Sequence, residues 1–372
     1  VIRWRKGEVL SVRREWPGAI ELQVSLPEGE CRALAYPRLV GRPEPGDAVL
    51  LNTTALAMGL GTGGYAMVVA LPDRLPEDPQ GPGHLVKARY TPLQATVLGA
   101  DEQDSPFHDV LRDADSLDGM PVVVADLHSA LPAILCGLFG SRPPADYAGP
   151  AGEVASSPVR APRVAYVMLD GGALPGWFSM SAARLREIGW LCGVVTTGQS
   201  FGGDVEAVTV HTGLLAARHV LSADVAIVTQ GPGNLGTGTR WGFSGVSAGE
   251  AVNAAAVLGG RPVAALRVSE GDLRERHIGV SHHSLTAYGR VALAPAQVVV
   301  PELPGDFGDR VAEQASELAG RHELVRVPVD GLEELLRRSP VKLSTMGRGL
   351  DEDLAGFLTS AAAGRHAASL LS

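Results

Sequence analysis

The sequence is poor in what a secreted, membrane-spanning or nucleic-acid-coating protein needs. Cysteine occurs only at Cys31, Cys136 and Cys192, an odd number with wide spacing. That argues against a disulfide framework or a cysteine-based zinc module and leads to the expectation of a reducing, cytoplasmic setting. Cys136 and Cys192 lie in apolar runs, where cysteine behaves as a small hydrophobe. No apolar stretch reaches the roughly 20 residues of a membrane helix. The stretch Val1-Ile2-Arg3-Trp4-Arg5 leads into no signal-peptide core. Lysine and arginine (32) are outnumbered by aspartate and glutamate (41), for a formal charge of −9, and no basic run appears. A partner surface made of nucleic-acid phosphates or anionic lipid is therefore not expected. There is no tandem repeat of fixed period.

What is present is a large apolar fraction, 45% of 372 residues, enough for two packed domains. Residues 1–75 read as a small β-barrel or β-sandwich. Short β-rich runs (Ile20–Leu26, Cys31–Tyr36, Ala48–Asn52, Tyr65–Leu71) are divided by Pro-Gly, Pro-Glu-Gly and Pro-Gly-Asp turn signals. Residues 72–83 read as a linker. Residues 76–372 read as an α/β domain with a mostly parallel, doubly wound sheet. Candidate strands at 121–125, 163–169, 190–196, 223–228, 262–268, 296–300 and 324–327 are apolar throughout, as strands covered on both faces should be. Helical patterns at 129–139, 179–188, 205–221, 247–258, 307–319 and 332–338 alternate with them, and 351–370 reads as a last helix. The Pro-, Ala- and Gly-rich segment 140–162 reads as a loop or tether.

The chemistry is expected at the carboxyl ends of these strands, because four of them run into polar or glycine-rich loops. The strand at 163–169 ends in Asp170-Gly171-Gly172. The next ends in Thr197, Gly198, Gln199, Ser200, Phe201, Gly202, Gly203 and Asp204. The third ends in Gln230 and the run Gly231, Pro232, Gly233, Asn234, Leu235, Gly236, Thr237, Gly238, Thr239. The fourth leads to Arg274, Arg276, His277, His282 and His283. In a parallel sheet these ends share the edge where open α/β sheets bind ligands.

Each group has a chemical reading and a structural one. Glycines let the backbone approach an anion closely, or pack closely on another loop. Gly231–Gly236 matches G-x-G-x-x-G, yet no helix opens directly after it and no lysine makes it a P-loop. Gly59–Gly64 matches the same expression ahead of a strand, so the expression is cheap in a chain with 46 glycines. Asp170 and Asp204 could hold Mg²⁺ with a substrate phosphate or act as a base. Asp204 could equally cap the following helix. Arg274 and Arg276, if extended, share a face suited to an anion. His282 and His283 are acid/base candidates, of which a strand would turn only one toward a pocket. Their spacing is no zinc signature. The polar segment 84–108 (His84, Lys87, Arg89, Glu102, His108) could line a cleft between the β domain and the sheet, or be a solvated connector. Ser129 is a candidate helix cap, and no G-x-S-x-G elbow frames a serine nucleophile.

The catalytic candidates are thus Asp170, Asp204, His282 and His283. The ligand-binding candidates are Gly171, Gly172, Thr197, Gly202, Gly203, Gly231, Gly233, Asn234, Gly236, Thr237, Gly238, Thr239, Arg274 and Arg276. The expected function is an enzyme acting on a small anionic metabolite of the phosphorylated, nucleotide or sugar type. The alternative is a binding protein whose β domain relays occupancy. A small-residue helix at 244–260 allows a homo-oligomer, or packing on the chain's own sheet.

The runs at 59–65, 84–91, 170–172, 197–204, 230–245, 274–283 and Thr345-Met346-Gly347-Arg348 resemble those of a bacterial family, from actinobacteria and Firmicutes, whose members have about this chain's length and which is catalogued only as a domain of unknown function. The resemblance spans nearly the whole chain and implies no activity, cofactor or metal.

Overall fold

The computed structural model describes residues 1–61, 63–140 and 160–371. The expected tether at 140–162 falls almost wholly outside the described residues.

Five strands close a barrel: β1 (Trp4–Trp16), β2 (Ala19–Leu26), β3 (Gly29–Ala35), β4 (Ala48–Asn52) and β5 (Ala66–Ala70), in the order β1-β2-β3-β5-β4. β1 and β4 pair antiparallel to close it, and β3 and β5 pair parallel. Val9, Leu22, Val24, Ala33, Leu51 and Val68 fill its interior. The sequence pattern hides β1, the longest strand. It buries Val9 and leaves Leu10 through Glu15 exposed, so it lacks the clean alternation that marks a half-buried strand.

A two-stranded hairpin follows, β6 (Leu85–Lys87) with β7 (Ala95–Val97). The main sheet then has β8 (Pro121–Val124), β9 (Val164–Leu169), β10 (Gly193–Thr196), β11 (Val205–Glu206), β12 (Val225–Gln230) and β13 (Arg261–Ala265). After the small ribbon of β14 (Val268–Ser269) and β15 (Gly279–Val280), β16 (Gln297–Glu302) and β17 (Glu323–Pro328) complete it. Its order is β11-β10-β9-β12-β8-β13-β16-β17, with every pairing parallel. The expected α/β class with a parallel sheet after a β-barrel is what the molecule has.

β8, β9 and β12 are buried at every position, which explains their continuous apolar character. Val122, Val124, Ala165 and Val167 face one layer, with Leu214, Ala251 and Val311 from the helices Val210–His219, Ser247–Val257 and Gly305–Ser316. Val123, Tyr166, Met168 and Ile227 face the other, with Ile134, Leu185, Leu336 and Ala361. Each fully buried valine or leucine contributes about 1.5–3 kcal/mol. The last helix, Leu354–Ser369, lies on Leu131–Phe139 at backbone distance. A Cβ on Gly137 would fall on the Ala361 carbonyl, and one on Gly364 on the Ile134 carbonyl.

Three local expectations are corrected. Val205 and Glu206 form an edge strand, not a helix start, and the helix begins at Val210 under a Thr209 cap. Asp204 is therefore no cap: its Oδ2 accepts from Val194 N at 2.8 Å and Arg186 Nε at 3.0 Å. Ser129 caps nothing either, and its hydroxyl meets Thr345 Oγ1 at 3.0 Å. The small-residue helix Ser247–Val257 turns Ala248, Gly249, Ala251, Ala254 and Ala255 into its own chain, with Gly249 against the Ala287 carbonyl. No helix among the described residues is long and apolar enough to cross a membrane.

The barrel docks on the loop after β9. Trp16 Nε1 donates to the Trp177 carbonyl at 2.7 Å, and Leu34 and Tyr36 pack on Trp177 and Phe178.

Candidate functional site

The helix after β8 packs on one face of the sheet and the helix after β12 on the other. The carboxyl ends of these neighbouring strands therefore flank the crevice at which such sheets bind ligands. Asp126 follows β8 there, and Gln230 ends β12. Gln230 Nε2 donates to the Asp126 carbonyl at 2.8 Å and to Asn234 Oδ1 at 3.2 Å, and Ser244 Oγ donates to the same Asn234 oxygen at 2.8 Å.

Going from there toward β11, the expected residues hold loops together. Gly171 and Gly172 leave room for Gln230 and for the Gly231 and Gly233 carbonyls, and Ala173 N donates to Pro232 O at 2.8 Å. Asp170 Oδ2 accepts from Gln199 N at 2.8 Å. Thr197 Oγ1 donates to Met168 O at 3.2 Å, Gly202 N to Glu206 Oε1 at 2.6 Å, and Gly203 N to Thr196 Oγ1 at 3.2 Å. Asp204 does not reach the carboxyl edge. The loop has turned back to start β11, so Asp204 lies level with Val194, near the beginning of β10. The connector is a scaffold too. Glu102 accepts from the backbone N–H groups of His84, Leu85 and Gly99, and buried Lys87 donates to Ser200 O and Ala207 O, both at 2.9 Å.

In the other direction, after β13, the polar residues converge. The run Arg274–His283 is not extended throughout: it holds a single 3₁₀ turn (Glu275–His277), the two-residue β15 and a helix, His282–Thr286, capped by Ser281. Arg274 is not free for an anion, because it forms two bonds to Asp272, at 2.9 and 2.8 Å. Arg276 has no carboxylate partner among the described residues. It lines an open cleft of about 590 Å³ together with Gly238, Arg240, His282, Arg290 and Glu317. Gly236, Thr237 and Thr239 lie in the exposed loop that carries Gly238 and Arg240. This loop is tied by Thr237 N to Gly242 O at 2.7 Å and by a bridge between Gly236 and Phe243.

Because His282 and His283 open a helix rather than extend a strand, they do not point apart. Their ring centroids are 4.4 Å apart, and each lies about as close to His277, at 5.0 and 4.9 Å. One ring nitrogen from each of the three lies within 4.8 Å of the other two. Phe243 stacks flat on His283 at 3.7 Å and 3°. His277 Nδ1 is bonded to Ser281 Oγ at 2.7 Å. His283 Nδ1 lies 3.1 Å from Arg267 Nη1 and 3.6 Å from Asp126 Oδ2. His282 Nε2 and Asp126 Oδ2 are both buried with no hydrogen bond. Burial, then the Arg267 and Arg274 charges, push the His277 pKa down to about 3. Burial, then the His283 ring and the Arg276 charge, push His282 down to about 4. Both rings are therefore neutral near pH 7, with lone pairs available. Burial pushes the Asp126 carboxyl up, but His283 and the Arg267 charge outweigh it, so Asp126 is an anion.

A family model described as a protein of unknown function, DUF3866, matches residues 32–364. The chain belongs to this family. The matched span of DUF3866 begins within β3 and takes in the whole parallel sheet, the histidine cluster and the arginine cleft. No curated protein matches the chain in sequence.

Sequence reasoning left His277, Asp126, Arg240 and Arg290 of this DUF3866 chain out of its site. His277 carried a signal, since it sits in the same charged run as His282 and His283. Asp126 also carried one, since it ends the first strand of the sheet. Arg240 and Arg290 are placed by a loop excursion and by a π-helical turn (Ala287–Val291), and nothing in the local pattern marks either.

Proposed function

We propose that the protein is an enzyme acting on a small anionic metabolite, of the phosphorylated, nucleotide or sugar type, held in the cleft beside the histidine cluster. The observation that carries this reading is the trio Arg240, Arg276 and Arg290, with no ion-pair partner among the described residues, lining a cleft whose wall includes His282. Guanidinium groups bind carboxylate and phosphate oxygens through paired N–H donors. Neutral imidazoles beside the cleft supply proton acceptors. Asp170 takes no part in this reading. It lies three strands from β13, about 14 Å along the edge at the usual strand spacing. Nucleic acid and membrane are not proposed as partners. The cytoplasm is the proposed location, supported by three free cysteines, one in β3, one in the helix Leu131–Phe139 and one just before β10.

Calorimetric titration with pyrophosphate, sugar phosphates and nucleotides tests the anion, and a turnover assay on the bound compounds tests the enzyme. The expected result is saturable binding that falls about tenfold in Arg276→Ala, a loss typical of one hydrogen bond to a charged group. Equal affinity in the variant would remove the reading.

One observation favours binding with relay to the barrel instead of turnover. The 170–178 loop packs on the Gly231–Gly233 loop at one end and on barrel residues Trp16 and Gly18 at the other. Saturable binding without turnover, together with altered protection of the barrel, would select this second reading.

A further inference from the structure

We propose that His277, His282 and His283 form a binding site for a divalent transition metal of the zinc class. The site goes beyond the anion-binding function and does not depend on the arginine cleft. Three features carry it. The first is convergence, with one nitrogen per ring within 4.8 Å of the other two. Nitrogens around a tetrahedral zinc stand about 3.4 Å apart, given Zn–N bonds near 2.0–2.1 Å, so small side-chain rotations close the site. The second is the set of unsatisfied atoms. His282 Nε2 is buried without a partner, and a buried polar atom in that state is costly unless something binds it.

The third feature is the orientation of the rings. Metal-binding histidines anchor one nitrogen on a neighbouring acceptor and present the other. Ser281 Oγ holds His277 Nδ1 at 2.7 Å, which leaves Nε2 to bind; with a metal on Nε2, Ser281 Oγ would accept from Nδ1–H. Asp126 Oδ2, otherwise unbonded, stands 3.6 Å from His283 Nδ1. Arg267 can only donate, so in the metal-free state His283 Nδ1 accepts from it. Binding a metal at His283 Nε2 moves the ring proton to Nδ1, where Asp126 takes the hydrogen bond. Of the nearby guanidinium groups, Arg267 lies 3.7 Å from Asp126 and Arg274 is held by Asp272, while the charge of the unpaired Arg276 reaches His282 and opposes a cation there.

The donor set also selects the metal. Three imidazoles suit zinc, cobalt or copper, whereas magnesium prefers oxygen. No fourth His, Cys, Asp or Glu joins the group among the described residues. Three protein ligands with one open position is the arrangement of catalytic zinc sites, where a bound water becomes acidic near pH 7.

The test uses the full chain, free of any affinity tag and stripped with a chelator, then dialysed against Zn²⁺ or Co²⁺. One equivalent should bind, and Co²⁺ should give the visible absorption of a low-coordinate nitrogen site. His277→Ala and His282→Ala should each weaken zinc binding at least 100-fold. Asp126→Asn, acting through His283, should weaken it about 10–100-fold, and its folding is checked by circular dichroism. His282 is half-exposed, so its variant keeps the test usable should the buried ones misfold. No stoichiometric uptake, or wild-type affinity in folded His282→Ala, would overturn the site. Pyrophosphate binding by protein that takes up no zinc would also overturn it, while leaving the anion reading intact. Zinc uptake by protein that binds no pyrophosphate would support the site and end the anion reading instead.

Discussion

Both ring nitrogens of His128 are engaged by hydroxyls. Tyr166 Oη stands 2.9 Å from His128 Nδ1 and 3.0 Å from Thr229 Oγ1, and reaches Gln230 O at 3.2 Å. Ser179 Oγ, which accepts from Ala182 N at 3.0 Å, stands 2.7 Å from Nε2. A neutral ring satisfies both hydroxyls, and burial pushes its pKa down to about 4. The sign of the linkage follows. The unfolded chain, with a pKa near 6.5, takes up the proton first as pH falls. Stability is therefore full above pH 6.5 and declines toward pH 4, by up to roughly 3 kcal/mol for this group. His277 and His282 titrate over part of the same range, so the informative quantity is a difference. Urea denaturation of His128→Gln should show a shallower fall in stability between pH 6.5 and pH 4 than wild type, and parallel curves would refute the assignment. Such networks are hard to foresee, because Tyr166, Ser179 and Gln230 each look like ordinary core or cap residues until three elements bring them to one ring. The histidine cluster was half legible for a related reason. The run that carries it was plainly charged, but whether adjacent histidines diverge or converge depends on whether the backbone is a strand or a helix.

At the scale of elements, apolar continuity located the buried strands β8, β9, β12, β13 and β16 to within a few residues, because burial on both faces leaves little choice of composition. Short or exposed elements carried no such mark. β11 has two residues and β1 faces solvent along most of its length. The glycine-rich loops were correctly placed at strand ends. Some of their glycines, however, serve loop-on-loop packing, as at Gly172 beneath the Gly231 and Gly233 carbonyls. Gly249 shows the same use between helices. It brings Ser247–Val257 against the Ala287 carbonyl and the Val291 side chain, at the far end of the helical segment that His282 and His283 open. Gly249→Ala should cost about 1–3 kcal/mol by overpacking, seen as a lowered Tm. The displaced segment should also weaken ligand binding at the cleft. A variant as stable as wild type would mean that this contact is not the tight one the geometry shows.

For the molecule as a whole, the charge is −9, so an anion approaching at random meets mostly repulsion. The arginine cleft departs from this: Arg240, Arg276 and Arg290 line one opening with Glu317 as the acid on its wall. Two fields thus compete, a diffuse negative one and a local positive one, and salt screens them unequally. At low ionic strength the net charge reaches beyond the cleft. Near 0.15 M salt the Debye length is about 8 Å, so the distant acids are screened while groups in direct contact with a bound anion are screened much less. The association rate for pyrophosphate should therefore show only a weak dependence on salt in the wild-type protein. Removing the arginines changes the balance. In Arg276→Ala with Arg290→Ala the remaining field is dominated by the net charge, and association should become slower at low salt and faster as salt is added. Stopped-flow measurements from 20 mM to 500 mM salt check this. A wild-type rate that climbs steeply with salt, like that expected of the double variant, would show that the cleft does not draw anions in.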